Sequence, residues 1–243
     1  MIPETFEGFH IYHYKEVSST NREALDLIDR GISNETIIIA NKQIEGRGRT
    51  GKSWVSPEGN FYASLVINQV TDIGKLTELT FVTALAVGDT LLSFINDSNV
   101  QYKWPNDVFI DGKKISGILL EKKSNLSWLV IGIGININHA PISEATCISD
   151  YGGPTSNIDL LKELVSNFNK VRKQWLFDGF HAIREMWLTR AFKLNKQISI
   201  KLADKLYEGI FTDIDKSGKL VLQQKDGSLT YFDAGELFIG NTL

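Results

Sequence analysis

The chain has 243 residues, 42% hydrophobic and 23% charged, with 20 glycines and 5 prolines, which is the composition of a globular protein of one large domain or a main domain with a smaller one. Its 26 basic and 29 acidic residues give a net charge of −3, which disfavours a broad binder of nucleic-acid backbones. A single cysteine, Cys147, excludes an internal disulfide framework and a multi-cysteine zinc site; with no apolar run near ~18 residues and no signal-peptide pattern, the expected location is the cytoplasm, away from membranes.

Thr20-Asn21-Arg22-Glu23 fits a capping box ahead of Ala24, Leu25, Leu27 and Ile28, so a helix is predicted over about 20–30, with Gly31 as its stop. Thr36–Lys42 reads as a buried strand and Phe61–Asn68 as a second. The longest helix candidate runs from Lys75 to about Asn96. Strands follow over Val100–Trp104, Asp107–Ile110, Ile115–Lys122 and Trp128–Asn136, with Asp111-Gly112 turning one hairpin. A polar connector, 139–156, leads to amphipathic helices at about 157–177 and 180–192, where Trp175 and Trp187 belong to the core. From Gln197 onward, short apolar runs punctuated by Lys216-Ser217-Gly218 and Asp226-Gly227 predict about five strands. The expected architecture is α+β: a mixed, mainly antiparallel sheet with packed helices over 1–194, and a small C-terminal β-barrel over 195–243.

Three segments carry chemistry. Gly46-Arg47-Gly48-Arg49-Thr50-Gly51-Lys52-Ser53 formally satisfies the phosphate-loop pattern, but that loop needs a helix directly after Lys-Ser, and Trp54-Val55-Ser56-Pro57 leads into a strand instead. What remains is two arginines around a glycine, able to close over an anion, or a solvated basic turn. In Lys103-Trp104-Pro105-Asn106-Asp107 the proline breaks a strand where Asn and Asp are presented, either as turn formers or as site residues. In Gly132-Ile133-Gly134-Ile135-Asn136-Ile137-Asn138, alternation puts glycines and asparagines on one face and isoleucines on the other. Bare backbone there implies close packing, by a helix or by a small apolar ligand.

With Ser19-Thr20-Asn21 and Lys114-Ile115-Ser116-Gly117-Ile118-Leu119-Leu120-Glu121 added, five motifs stand in the order and spacing of the biotin protein ligases, which the sequence resembles over nearly its whole length. The resemblance implies a catalytic domain of the kind related to class II aminoacyl-tRNA synthetases. It implies that biotin and ATP, with Mg²⁺, give biotinyl-5′-adenylate, and that a lysine of a biotin carboxyl carrier protein, an acetyl-CoA carboxylase subunit, then takes the biotinyl group. The Ser-Thr-Asn mark begins at residue 19, so the single-function branch, without a DNA-binding helix-turn-helix, is expected.

By the same resemblance Arg47, Arg49, Lys114 and Asp107 are the catalytic candidates, Arg47 meeting the biotin carboxylate or α-phosphate with Lys114 beside it. Ser19, Thr20, Asn21 and Gln43 would hydrogen-bond the ureido ring, Gly48 would let the loop close, and Gly132 and Gly134 would floor the apolar chain. Trp54 would cover the ligand, Asn106 and Asp107 would face the phosphates, Mg²⁺ or the incoming lysine, and Asn136 would serve ATP together with Arg49 and Lys114. Ala145–Ile148 offers no ring for adenine, Tyr151 being the nearest. No protein metal site is expected, since His10, His13, His139 and His181 lack ligand company. Two other readings are a lipoate or octanoate attachment enzyme, and a non-catalytic biotin sensor that would bind DNA. A sheet edge that docks the carrier could also pair two copies into a homodimer.

Overall fold

The computed structural model describes residues 4–68, 74–95, 99–122, 127–152, 155–202, 205–233 and 236–238. The main sheet has eight strands in the spatial order β1 (Thr5–Phe6), β2 (Phe9–Val17), β3 (Thr36–Gln43), β4 (Phe61–Ile67), β8 (Leu129–Ile135), β7 (Lys113–Lys122), β6 (Asp107–Ile110) and β5 (Val100–Lys103). Every ladder is antiparallel except β2 with β3, which the helix α1 (Thr20–Asp29) joins as a parallel crossover. Strands β1 and β2 were not foreseen. Tyr12, His13, Lys15 and Glu16 are exposed on this edge, so β2 lacks the buried alternation that marks an inner strand.

Alternation along the central strands divides the molecule into layers. Ile37, Ile39, Ala63, Leu65, Ile131, Ile133 and Ile135 face the main core with α2 (Gly74–Leu92) and α3 (Asn157–Leu188). Ile38, Val66 and Val130 face the other way and form a small core with Ala24 and Ile28 of α1. Farther along the α1 side of the same strands stand Ser64, Gly132 and Gly134, so this face changes from apolar packing to bare backbone and polar groups. Gly179 (φ 75°, ψ −178°) breaks α3, in keeping with two helices expected there, and Ser156 caps its start by accepting from the Asp159 amide. Trp175 and Trp187 are core residues as expected.

The C-terminal strands β9 (Gln197–Leu202), β10 (Lys205–Ile214), β11 (Leu220–Gln223), β12 (Leu229–Phe232) and β13 (Glu236–Phe238) form one sheet in the order β12-β11-β10-β9-β13. The expected barrel is not closed: β12 and β13 are the two edges, and no ladder joins them among the described residues. The sheet buries its apolar face against the main domain instead, since Ile198, Ile200, Phe211, Ile214, Leu220 and Leu222 join the same continuous core as Phe81 and Trp187. No described helix is long and apolar enough to cross a membrane.

Candidate active site

A cleft of about 880 Å³ opens on the α1 face of the sheet. Its floor is where the glycines stand: Gly132 lies between Ser64 and Leu119 across the ladders, and Gly134 between Tyr62 and Gly117. A Cβ at Gly132 would come within 2.3 Å of Asn21 Oδ1, and one at Gly134 within 2.5 Å of Trp54 Nε1. A Cβ at Gly117 would meet Trp54 Cζ3 at 2.9 Å. What packs on the bare backbone is therefore the first turn of α1 and the indole of Trp54, which rests on the floor rather than above it.

At one end of the cleft is a chain of polar contacts. Ser19 caps α1 by position but makes no side-chain cap bond, and the Thr20 amide donates to Gln43 Oε1 at 2.9 Å. The capping box expected from Thr20 and Glu23 is thus absent: Ser19 holds the cap position, and the Thr20 hydroxyl turns to Gln43 in the cleft. Thr20 Oγ1 lies 3.2 Å from Gln43 Oε1 and 2.8 Å from Ser64 Oγ, and Ser64 Oγ donates to Asn21 Oδ1 at 2.5 Å. Gln43 Nε2 donates to Ser56 Oγ (2.9 Å), whose hydroxyl donates to the Trp54 carbonyl. Ser19, Thr20, Asn21 and Ser64 are all at least 96% buried.

The other end is cationic. Between Val108 and Phe109 the β6–β7 register slips by one residue, so that Asp107 faces Gly117 while Phe109 faces Lys114. In regular alternation residues 114 and 117 point to opposite faces; the bulge brings both to the cleft. Lys114 Nζ then reaches Asp107 Oδ1 at 2.6 Å and lies 5.2 Å from the Trp54 ring centroid. The connector runs beside it, with the Lys114 amide donating to Glu144 O and the Thr146 amide to Lys114 O. Lys103 joins the wall over the Phe109 ring. Burial lowers the pKa of Lys103, and Lys114 and Lys52 nearby lower it further against the opposing pull of Asp107; burial likewise lowers that of Arg49.

The arginine loop crosses the cleft from 44 to 60 and contains only a single helical turn, Arg49–Gly51, so no helix follows Lys52-Ser53 and the phosphate-loop reading fails on structure as it did on sequence. Its two arginines part company. Arg47 Nη2 pairs with Glu121 Oε2 at 2.8 Å, beside Asn21, whereas Arg49 Nη1 donates to Asn106 Oδ1 at 3.2 Å at the Lys114 end. Arg47 was expected at the acyl junction with Lys114 beside it; in the structure Arg49, not Arg47, reaches the Asn106–Asp107 segment that holds Lys114. Arg47 Nε and Trp54 Nε1 are buried without a hydrogen-bond partner, the state of donors that a ligand would satisfy.

Of the expected residues, Ser19, Thr20, Asn21, Gln43, Arg47, Gly48, Arg49, Trp54, Asn106, Asp107, Lys114, Gly132 and Gly134 all line this one cleft. Asn136 does not. Strand β8 ends at Ile135, and the buried Asn136 side chain instead donates to Thr146 O while its amide donates to Ile115 O, so it ties the connector to the strand that carries Lys114.

A family model described as the biotin/lipoate A/B protein ligase family matches residues 14–138, and one for the biotin protein ligase C terminal domain matches 193–240. A biotin--[acetyl-CoA-carboxylase] ligase of Paracoccus denitrificans is 35% identical over 235 residues, covering 91% of this chain and 97% of that one. The chain belongs to the biotin protein ligase family. Among solved structures, the biotin protein ligase of Aquifex aeolicus in complex with biotin and ATP superposes with a TM-score of 0.82 at 26% identity, covering 96% and 98% of the two chains. The Leishmania major biotin protein ligase in complex with biotinyl-5-AMP gives 0.68 at 25% identity, covering 92% and 98%.

The motifs that carried the resemblance to biotin protein ligases are the ones that meet in the cleft, but not every contributor was foreseen as a site residue. Lys103 and Glu121 were quoted in motifs without a role, while Ser64 and Ser56 lie in stretches with no chemical signature. Lys201 and Leu202 of β9 also line the cleft, a contribution from the C-terminal sheet that no local pattern signals.

Proposed function

We propose that this chain is an ATP-dependent biotin–protein ligase that forms biotinyl-5′-adenylate and passes the biotinyl group to a lysine of a biotin carboxyl carrier protein. The observation that carries the reading is the division of one cleft into a buried hydroxyl and amide end and a cationic end. A cyclic urea offers N–H donors and a carbonyl acceptor, which match Asn21 Oδ1 and the hydroxyls of Ser19 and Thr20. The dithiolane ring of lipoate offers neither and would desolvate this end without using the free lone pair of Asn21 Oδ1 or the hydroxyls, so the lipoate reading is not favoured.

In the first step a biotin carboxylate oxygen bonds to the α-phosphorus, the α–β phosphoanhydride bond breaks, and pyrophosphate leaves. Two anions must approach, so the work of the protein is to place fixed positive charge where negative charge gathers. Arg49, Lys114 and Lys103 supply it, and the Asp107 contact and the bulge hold Lys114 in place. In the second step the carrier amine bonds to the acyl carbon, AMP leaves with the bonding pair, and the amine loses a proton. No side chain is acylated, and Cys147, 4% exposed in the connector, takes no part.

The fit to Mg²⁺ rests on donor chemistry. Among the described residues no group of three or more His, Cys, Asp or Glu could hold a metal. Mg²⁺ commonly arrives on phosphates and uses one or two carboxylates, and Asp107 and Glu144 line the cleft. Bound there it would neutralise phosphate charge.

The division at 194/195 into a catalytic part and a C-terminal part follows the two sheets. The reading places the protein in the cytoplasm, where biotin, ATP and a free cysteine coexist, and without DNA, since its net charge is −3. The outer edge of β2 beyond His10 has no partner strand among the described residues, which suits strand addition by a second copy. Incubation with biotin, ATP and a purified carrier domain tests the function: a mass gain on the carrier lysine is expected, and labelling by lipoate instead of biotin would refute it.

A further inference from the structure

Glu121 is an anion beside a cleft built for anions, in a smaller hollow under the arginine loop, and the adenylation chemistry has no use for it. Strand alternation puts it on the cleft face of β7 with Gly117 and Leu119, one pleat beyond the floor. Its side chain is 25% exposed, and its Oε2 accepts from both Asn21 Nδ2 and Arg47 Nη2, each at 2.8 Å.

Each contact fixes something. Asn21 accepts from Ser64 Oγ at Oδ1 and donates from Nδ2 to Glu121 and, at 3.4 Å, to Leu119 O. Turning the amide over would set Nδ2 against the serine and Oδ1 against a carboxylate. Glu121 therefore leaves Asn21 one orientation, in which only an Oδ1 lone pair remains for a ligand. On the loop, Arg47 bridges to Ser53 and the Trp54 amide donates to Gly46 O, so the two limbs move together. An ion pair at Arg47 consequently holds the limb that carries the indole.

We propose that Glu121 is a positioning residue for the binding step: it sets the polarity of Asn21 and anchors the arginine loop to the sheet through Arg47. The inference deepens the proposed function, on which it rests for the identity of the ligand but not for the anchoring of the loop. The opposite role, an anion that competes with the ligand for Arg47, predicts the opposite sign in binding.

The test compares Glu121→Gln, Glu121→Ala, Arg47→Ala and the double Glu121→Ala/Arg47→Ala in the full chain. On ligand-free protein, tryptic cleavage after Arg49 and Lys52 should rise at least about threefold in Glu121→Ala, and the double variant should cleave no faster than the faster single one. In adenylation assays the KM for biotin should rise about tenfold in Glu121→Ala with kcat within about twofold, since the residue acts on binding. Glu121→Gln keeps the size and an acceptor, so it folds as the parent does and shows a partial effect of the same sign. Unchanged cleavage with unchanged KM, a KM that falls, or cleavage effects that add in full would overturn the proposal. If the parent turns over no biotin while loop cleavage still responds to Glu121, the anchor stands and the functional reading falls.

Discussion

At the residue scale, the cleft assigns different work to side chains that the sequence shows side by side. Arg47 and Arg49 are separated by one glycine, yet one pairs with Glu121 and the other with Asn106: Arg47 stands on a limb bridged to Ser53, whereas Arg49 opens the helical turn Arg49–Gly51 at the tip of the loop. Arg49→Ala and Lys114→Ala should each lower kcat for adenylation by about 10²–10³, the usual loss for a donor aimed at developing charge, which single-turnover kinetics reads directly. Lys103 supplies a pH test. Burial sets its pKa below the ordinary 10.5, so the unfolded chain holds the proton more tightly than the folded one, and in the window between the two values stability gains as pH rises. Bound triphosphate reverses the preference. The KM for ATP should therefore be lowest where Lys103 is charged and climb as pH passes its depressed pKa, before an ordinary lysine would titrate. In Lys103→Arg the climb should move to higher pH. A KM for ATP that stays flat through the alkaline range in the parent would remove Lys103 from the phosphate site.

At the scale of elements, the site is the product of three departures from regular structure. A bulge in β7 turns Lys114 to the cleft, the end of β8 at Ile135 drops Asn136 out of it, and the cap of α1 is left unmade so that Thr20 can meet Gln43. Alternation along 132–138 is legible in sequence and correctly separates the glycines from the isoleucines. It misplaces Asn136 because a periodic pattern does not announce where its strand stops. The strands from 100 to 136 were legible because apolar runs and the Asp111-Gly112 turn, both at positive φ, bound them. Strand β2, next to the short edge strand β1, was not, since its pairing with β3 is long-range and its side chains are largely exposed. The floor gives a prediction of its own. Gly132→Ala drives a Cβ into Asn21 and should raise the KM for biotin by at least about tenfold, whereas Gly134→Ala displaces the indole and should show first as a change in Trp54 fluorescence, absent from a Trp54→Phe background.

At the scale of the molecule, the two sheets share one core, and the C-terminal sheet reaches the catalytic segment directly. Trp104 Nε1 donates to Gly218 O at 3.0 Å, and Gly218, at φ 81°, sits where a Cβ would meet Thr77 Cγ2 at 2.7 Å and Phe81 Cε2 at 3.1 Å. Arg184 of α3 completes the join through Asp213 and the Ile214 carbonyl. This coupling is invisible locally: Lys216-Ser217-Gly218 reads as a turn, and nothing in it names Trp104 as its partner. The expected consequence is a single thermal transition for the whole chain. Gly218→Ala, strained in both backbone and packing, should cost about 1–3 kcal/mol and lower activity, because the segment bearing Asn106 and Asp107 hangs from Trp104. Two separate transitions, or a Gly218→Ala variant of parental stability and rate, would show that the C-terminal sheet is an appendage.

The central claim is that the polar end of the cleft selects biotin and the cationic end joins its carboxylate to AMP. Biotin-dependent exchange of labelled pyrophosphate into ATP measures that step without any carrier. The account predicts exchange with biotin, none with lipoate or octanoate, and its loss in Arg49→Ala and Lys114→Ala. Exchange with lipoate in place of biotin would contradict the assignment of the polar end, and exchange with none of the three acids would contradict the adenylation chemistry itself.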